Sequence, residues 1–188
     1  VVEDYVSWVH LDIMDGKFAP TESNLTPLDL ELLEGKTKLE VHLMVDDPEE
    51  YLTWWTKIAD RVIVHIEATE NIDNILASLN PHHTKLGVAL LLETPLEKIQ
   101  PYLDKVDFVQ LMGIREIGSH GKKFEPEVLE KIKNLRTVFP DGIIQIDGGI
   151  NLETSKECLE AGASALVVGA AIWNTENPIA SLQDFLNI

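Results

Sequence analysis

Seven short β-branched runs, each followed by a stretch of helical periodicity, limit what this chain can fold into more than any other feature. The runs are "VSWVHLDIM", "KLEVHLMV", "RVIVHIEA", "LGVALLL", "VDFVQLM", "IIQIDGG" and "ALVVGAA". With His10, His42, His65, Ala89, Leu111, Ile146 and Val167 as markers, successive runs lie 32, 23, 24, 22, 35 and 21 residues apart. Each interval holds one strand and one helix. Between the runs, "DPEEYLTWWTKIA", "TPLEKIQPYLD" and "FEPEVLEKIKNLRTVF" carry apolar residues at i, i+3 and i+4, with Asp or Thr ahead of a Pro at expected helix starts. This is the pattern of capped amphipathic helices. Strands that alternate with helices pair in parallel and need both faces covered, which leaves a closed barrel or an open doubly wound sheet.

The placement of polar residues favours the barrel. They gather at the C-terminal ends of several different strands, where barrel active sites are assembled, whereas an open sheet concentrates them at one crevice. No G-x-G-x-x-G follows the first run and no Walker motif is present, so the usual open-sheet nucleotide sites are missing. Seven strands are one fewer than a (β/α)8 TIM barrel requires. The chain begins with Val and its first residues read as the tail of a helix. The expectation is one barrel domain over residues 1–188, N-terminally incomplete, lacking its first β-strand and most of its first helix. The strand edges exposed at such a gap, and the frequency of symmetric assemblies, favour a homo-oligomer.

Composition narrows the function classes. At 188 residues, 45% hydrophobic and 25% charged, the chain can bury a core as one globular domain. It has no apolar run near the ~18 residues of a membrane span and does not open on a basic then apolar leader, so a cytoplasmic location and no membrane partner are expected. Fifteen basic against thirty-two acidic side chains give a formal charge of −17, which repels a phosphate backbone and argues against nucleic acid. The same charge opposes a small phosphorylated substrate, whose site must then rely on backbone N–H groups, a metal or a few local cations. The single cysteine, Cys158, falls in the amphipathic stretch "NLETSKECLEAGA", where a small buried thiol suits packing.

Within "HLDIMDG" the strand period puts His10, Asp12 and Met14 on one face and Leu11 and Ile13 on the other. The next run contributes His42, and "QIDGG" contributes Asp147 much later in the chain. An isolated strand histidine is more often a hydrogen-bonded core residue than a ligand. Here two carboxylates inside apolar strands also need partners, and a shared cation supplies them. Two imidazoles and two carboxylates suit one divalent metal ion, whether Zn, Fe(II), Mn or Co.

These residues resemble the ribulose-phosphate 3-epimerase family. The matching strings, "HLDIMDGKFAP", "LEVHLMVDDPEEYL", "VIVHIEA", "KFEPEVLEKIKNLR" and "IIQIDGGINLETSKECLEAGASALVVGAAIW", run across essentially the whole chain. The resemblance implies a TIM barrel of the ribulose-phosphate-binding type, a metal held by His10, Asp12, His42 and Asp147, and the two aspartates as acid and base. Inverting the carbon beside a ketone needs a proton carrier on each face and a Lewis acid for the enediolate oxygens, which fits that set. The implied substrate is D-ribulose 5-phosphate, converted to D-xylulose 5-phosphate, or a close ketose phosphate, placing the chain in carbohydrate metabolism and the pentose phosphate pathway. Met14, Met44 and Met112 match methionines that cap the enediolate, although each also serves as core filling. His65 matches a position behind the ligands. Gly148, Gly149, Gly169 and Ala170 follow the last two long runs and can offer backbone N–H groups to phosphate.

The match has gaps. Where the family carries "TVNPGFGGQKF", this chain reads "GIREIGSHGKKF", keeping Gly118 and Gly121 and adding Arg115, His120, Lys122 and Lys123 as positive groups that could hold phosphate. Leu91 and Leu92 replace a usual Asn-Pro, and Ala170 a small hydroxyl residue. Other phosphate-barrel activities, hexulose-phosphate synthase or orotidine-phosphate decarboxylase, use a D-x-K-x-x-D pattern, and "EVHLMVDD" has no lysine. The remaining alternative is a non-catalytic or altered-specificity sugar-phosphate-binding barrel derived from an epimerase.

Overall fold

The computed structural model describes residues 2–30, 37–79, 84–119 and 121–188. Every β-branched run forms a strand: β1 (Trp8–Met14), β2 (Lys38–Met44), β3 (Arg61–His65), β4 (Lys85–Leu90), β5 (Phe108–Met112), β6 (Ile143–Asp147) and β7 (Ala165–Val167). Sheet order follows chain order, and β1 with β2, β2 with β3, β5 with β6 and β6 with β7 pair in parallel. Between them lie α1 (Pro27–Leu30), α2 (Pro48–Trp55), α3 (Ile72–Ser78), α4 (Glu127–Val138), α5 (Leu152–Ala161), α6 (Ala170–Trp173) and α7 (Pro178–Leu186). None of the described helices is long and apolar enough to cross a membrane. The chain forms two compact units, Val1–Val88 with Lys105–Asp107, and Ala89–Asp104 with Phe108–Ile188.

In the first unit, the register of β1 on β2 sets His10 beside Glu40, Asp12 beside His42 and Met14 beside Met44. Glu40 in turn lies beside Arg61 on β3. Paired residues of parallel strands share a face, so one polar face carries all the chemistry. The other face is apolar: Val41, Leu43, Val62 and Val64 are fully buried, and α2 packs on β2 and β3 through Leu52 and Trp55. Each such side chain contributes about 1.5–3 kcal/mol by leaving water.

Two helix expectations change. Pro48 does open α2, but Asp47 has φ 53° and its side chain caps nothing; a capping residue needs extended backbone, and the chain leaving β2 turns through the left-handed region instead. "TPLEKIQPYLD" forms two 3-10 turns, Leu96–Lys98 and Gln100–Tyr102. Pro101 lacks the N–H an α-helix needs there and its ring meets the carbonyl four residues back.

In the second unit, α4 buries Val128, Ile132 and Leu135, spaced i, i+4, i+7 as one helical face requires. Asn151 caps α5 in a reciprocal pair with Thr154, and Gly162 ends that helix at φ 112°. Arg136, near the end of α4, donates to the carbonyls of Phe139, Pro140, Gly142 and Gly162 and to Ser164 Oγ. One guanidinium thus ties together the segments entering β6 and β7. Cys158 is fully buried; desolvation, helped by Glu157, pushes its thiol up to about 12, so it packs as an inert apolar group.

Candidate metal centre and proton carriers

Strand period and register bring three of the predicted ligands together in the first unit. Asp12 Oδ1 lies 3.2 Å from His10 Nε2 and 3.0 Å from His42 Nδ1. Donor atoms that each sit about 2.1 Å from one ion, at tetrahedral to octahedral angles, are roughly 3.0–3.4 Å apart. The spacing is therefore that of a coordination shell, and mixed imidazole and carboxylate donors suit a divalent transition ion. His42 is fully buried, while His10 and Asp12 keep 12% and 26% of their side chains exposed, leaving an open side for a substrate.

Burial alone would raise the Asp12 pKa. The hydrogen bonds and positive charge of His10 and His42 outweigh that and hold the carboxyl well below the usual carboxylate range. Asp12 is consequently ionised at neutral pH, the form that binds a cation or takes up a proton.

Behind the histidines stands a second row. His10 Nδ1 is 2.5 Å from Glu40 Oε1, and the other oxygen of Glu40 pairs with Arg61 Nε, whose guanidinium lies 3.8 Å over the Trp8 ring. His42 Nε2 is 2.9 Å from His65 Nε2, and His65 Nδ1 is 3.2 Å from Glu67 Oε2. Phe18 packs against His65 with 4.8 Å between ring centroids. The loop carrying Phe18 is fixed by Asp15, whose carboxylate accepts the backbone N–H groups of Lys17, Phe18 and Asp46. Met14 and Met44, neighbours in register, close the C-terminal end of this face.

In the second unit, Asp147 ends β6 beside Met112 of β5. Gln110 Nε2 donates to Asp147 Oδ2 at 3.3 Å, and Gln145 Nε2 donates to Gln110 Oε1 at 2.8 Å. A neutral amide ladder therefore orients this carboxylate. Gly148 and Gly149 follow at φ 100° and 73°; a Cβ on Gly149 would stand 2.6 Å from Phe124 Cα, so only glycine lets these backbones pass. Gly169 and Ala170 begin α6, where Ile172 and Trp173 donate their N–H groups to the Gly169 carbonyl. Gly118 and Gly121 take φ 86° and 72° in the loop before α4.

Two of that loop's expected cations stand in ion pairs while remaining partly exposed. Arg115 pairs with Glu93 and Glu127, and Lys122 with Glu116; nearby carboxylates neutralise the charge that the sequence suggested for phosphate. His120 lies outside the described residues.

Comparison with known proteins identifies the family and the fold. The model of the ribulose-phosphate 3 epimerase family matches residues 1–173. The ribulose-phosphate 3-epimerase of Schizosaccharomyces pombe is 35% identical over 91% of this chain and 77% of its own length. That of Bacillus subtilis is 37% identical over 88% and 79%. This chain belongs to the ribulose-phosphate 3-epimerase family. It is thus one of a family of carbohydrate isomerases. Its fold is the (β/α) barrel: orotidine 5'-monophosphate decarboxylase from Sulfolobus solfataricus superposes with a TM-score of 0.68 at 16% identity, covering 98% of this chain and 87% of that one. A 3-hexulose-6-phosphate synthase gives 0.68 at 19%, with the same coverage.

For an epimerase-family chain, the residues that sequence reading passed over are Glu40, Arg61, Glu67, Gln110 and Gln145. Most sit two residues from a predicted site residue: Glu40 before His42, Glu67 after His65, Gln110 before Met112, Gln145 before Asp147. Strand period 2 alone would have put each on the same face as the site.

Proposed function

We propose that this chain is a cytoplasmic, metal-dependent epimerase that inverts C3 of D-ribulose 5-phosphate to give D-xylulose 5-phosphate. His10, Asp12, His42 and Asp147 would hold one divalent cation, Zn, Fe(II), Mn or Co, and this donor set suits such an ion. When bound, the cation would stabilise negative charge developing on the ketose oxygens. The observation that carries the reading is Asp12, an ionised carboxylate held between two imidazoles at coordination spacing, in a chain whose family match spans residues 1–173.

The chain's own groups divide the work. One aspartate removes the C3 proton from one face of the sugar, and the other returns a proton to the opposite face of the enediolate. Met14, Met44 and Met112 supply an apolar, polarisable cover that disfavours water near that intermediate. Backbone N–H groups at Gly148, Gly149, Gly169 and Ala170 receive the phosphate, with Gly118 and Gly121 letting the preceding loop fold over it. Residues 1–188 act as one barrel domain in this reading. The pairing of Arg115 and Lys122 with carboxylates favours a variant of it in which the ketose phosphate differs from ribulose 5-phosphate.

Incubation of the Mn- or Zn-loaded protein with D-ribulose 5-phosphate in D2O tests both parts. Deuterium at C3 together with D-xylulose 5-phosphate is the expected result. Neither product nor exchange, for any pentulose or hexulose phosphate offered, would leave a sugar-phosphate-binding barrel without catalysis.

A further inference from the structure

The two histidines of the metal centre are each gripped from behind, and the grip on His42 is indirect. In the metal-free chain His42 Nδ1 donates to the Asp12 carboxylate 3.0 Å away; to bind a cation there the ring must give up that proton and offer the Nδ1 lone pair instead. A neutral imidazole with a bare Nδ1 carries its proton on Nε2. That N–H points at His65 Nε2, 2.9 Å away; the ring planes differ by 27° with centroids 5.0 Å apart, the geometry of an edge-to-edge hydrogen bond. His65 Nε2 must therefore accept, which places the His65 proton on Nδ1. Glu67 Oε2 receives it at 3.2 Å. Each assignment forces the next, and the chain ends on a carboxylate.

We propose that Glu67 is a positioning residue that sets the metal-binding tautomer of His42 through His65. The inference rests on the metal centre proposed above and concerns only residues of the first unit. His10 needs no such relay, because Glu40 contacts its Nδ1 directly. Direct carboxylate support for one ligand and support through an intervening imidazole for the other makes His42 the ligand whose orientation depends on a residue two steps away. The environment of His65 fits the role: the ring is fully buried and packed by Phe18, so it has little freedom to rotate and reverse its polarity. Glu67 closes the chain at the edge of this buried cluster, with 15% of its side chain exposed. Removing the outer partner of a metal-bound histidine typically weakens the metal by about 10–100-fold.

The test compares wild type with Glu67→Ala and Glu67→Gln in two readouts that do not depend on turnover. Co(II) titration followed by its visible absorption should show affinity reduced about 10–100-fold in Glu67→Ala, with a smaller loss in Glu67→Gln, whose amide oxygen still accepts. Long-range 1H–15N spectra of the Zn-loaded proteins should show His65 protonated on Nδ1 and His42 on Nε2 in wild type, and a mixed or reversed pattern in Glu67→Ala. If Glu67→Ala does not fold, the same spectra and titration on Glu67→Gln decide. Wild-type spectra with His65 protonated on Nε2, or Co(II) affinity indifferent to Glu67, would overturn the relay while leaving the metal centre standing. A wild-type chain that takes up no Co(II) would bring down the metal centre and the relay together.

Discussion

The face formed by β1, β2 and β3 and the face formed by β5 and β6 each carry an aspartate at the heart of the proposed chemistry, and they hold it by opposite means. Asp12 is clasped by imidazoles, and behind them stand the side chains of Glu40, Arg61 and Glu67. Asp147 accepts a hydrogen bond from the Gln110 amide, and Gln110 one from the Gln145 amide. A carboxylate fixed by charge is poised to stay charged and to anchor a cation. One steered by an uncharged amide is oriented by that hydrogen bond. The difference lies in how each carboxylate is held: Asp12 by imidazoles, and Asp147 with an amide oriented toward it.

The strongest way to break this comparison is to neutralise each aspartate in turn. Asp147→Asn should lower turnover by about 10²–10⁴-fold, the usual worth of a general acid or base, and abolish C3 exchange with D2O, yet leave Co(II) binding measurable. Asp12→Asn should lose turnover and Co(II) binding together. Equal metal loss in both variants, read by titration, would erase the distinction between the two ways of holding an aspartate.

Glu40→Gln probes the ionic side through stability. Glu40 is 2% exposed and pairs with Arg61 and His10, so removing its charge breaks a largely buried pair and should cost up to about 3–5 kcal/mol. Gln110→Ala probes the neutral side, where the loss of one hydrogen-bonded amide should cost about 1–3 kcal/mol. Urea unfolding of both variants gives the ratio. A larger loss at Gln110 than at Glu40 would contradict the contrast.

Acid titration sharpens it further. The folded-state pKa of Asp12 lies below its ordinary value of 3.8, so the folded protein binds fewer protons at that site than the unfolded chain. The stability it contributes is complete above that value and is lost as pH falls below it. Circular dichroism of the metal-free protein should therefore show Asp12→Asn with a flatter loss of stability below about pH 4 than wild type. The smallest effect concerns Cys158, remote from both faces: with its thiol raised to about 12, it should resist alkylation at pH 8 until denaturant is added.

Much of this was legible in the sequence because it depends on period alone. Seven strands, the shared face of His10, Asp12 and Met14, and the buried stripe of α4 follow from spacings of 2 and 3.6 residues. Glycine at 149 likewise announces a close approach, though not that Phe124 makes it. Register was not legible. Nothing in "KLEVHLMV" says that Glu40 will meet both His10 and Arg61, since pairing depends on how two distant strands align. Nor does composition reveal that Arg115 and Lys122 spend their charge on nearby glutamates, because side-chain pairing in a loop depends on backbone turns that the residue types permit but do not dictate. Pro101 was visible, yet its effect was outvoted by the apolar spacing around it.

Arg136 bears on how such a protein can change over time. By lashing the segments that enter β6 and β7 to the end of α4, it concentrates cohesion at the far ends of those strands from Asp147 and Gly148. Loops at the opposite ends can then be rewritten, as residues 113–124 have been relative to the family pattern, without loosening the knot beneath them. Mutational tolerance in this half of the molecule should accordingly be graded along each strand, strictest beside Arg136 and most forgiving in the loop that precedes α4.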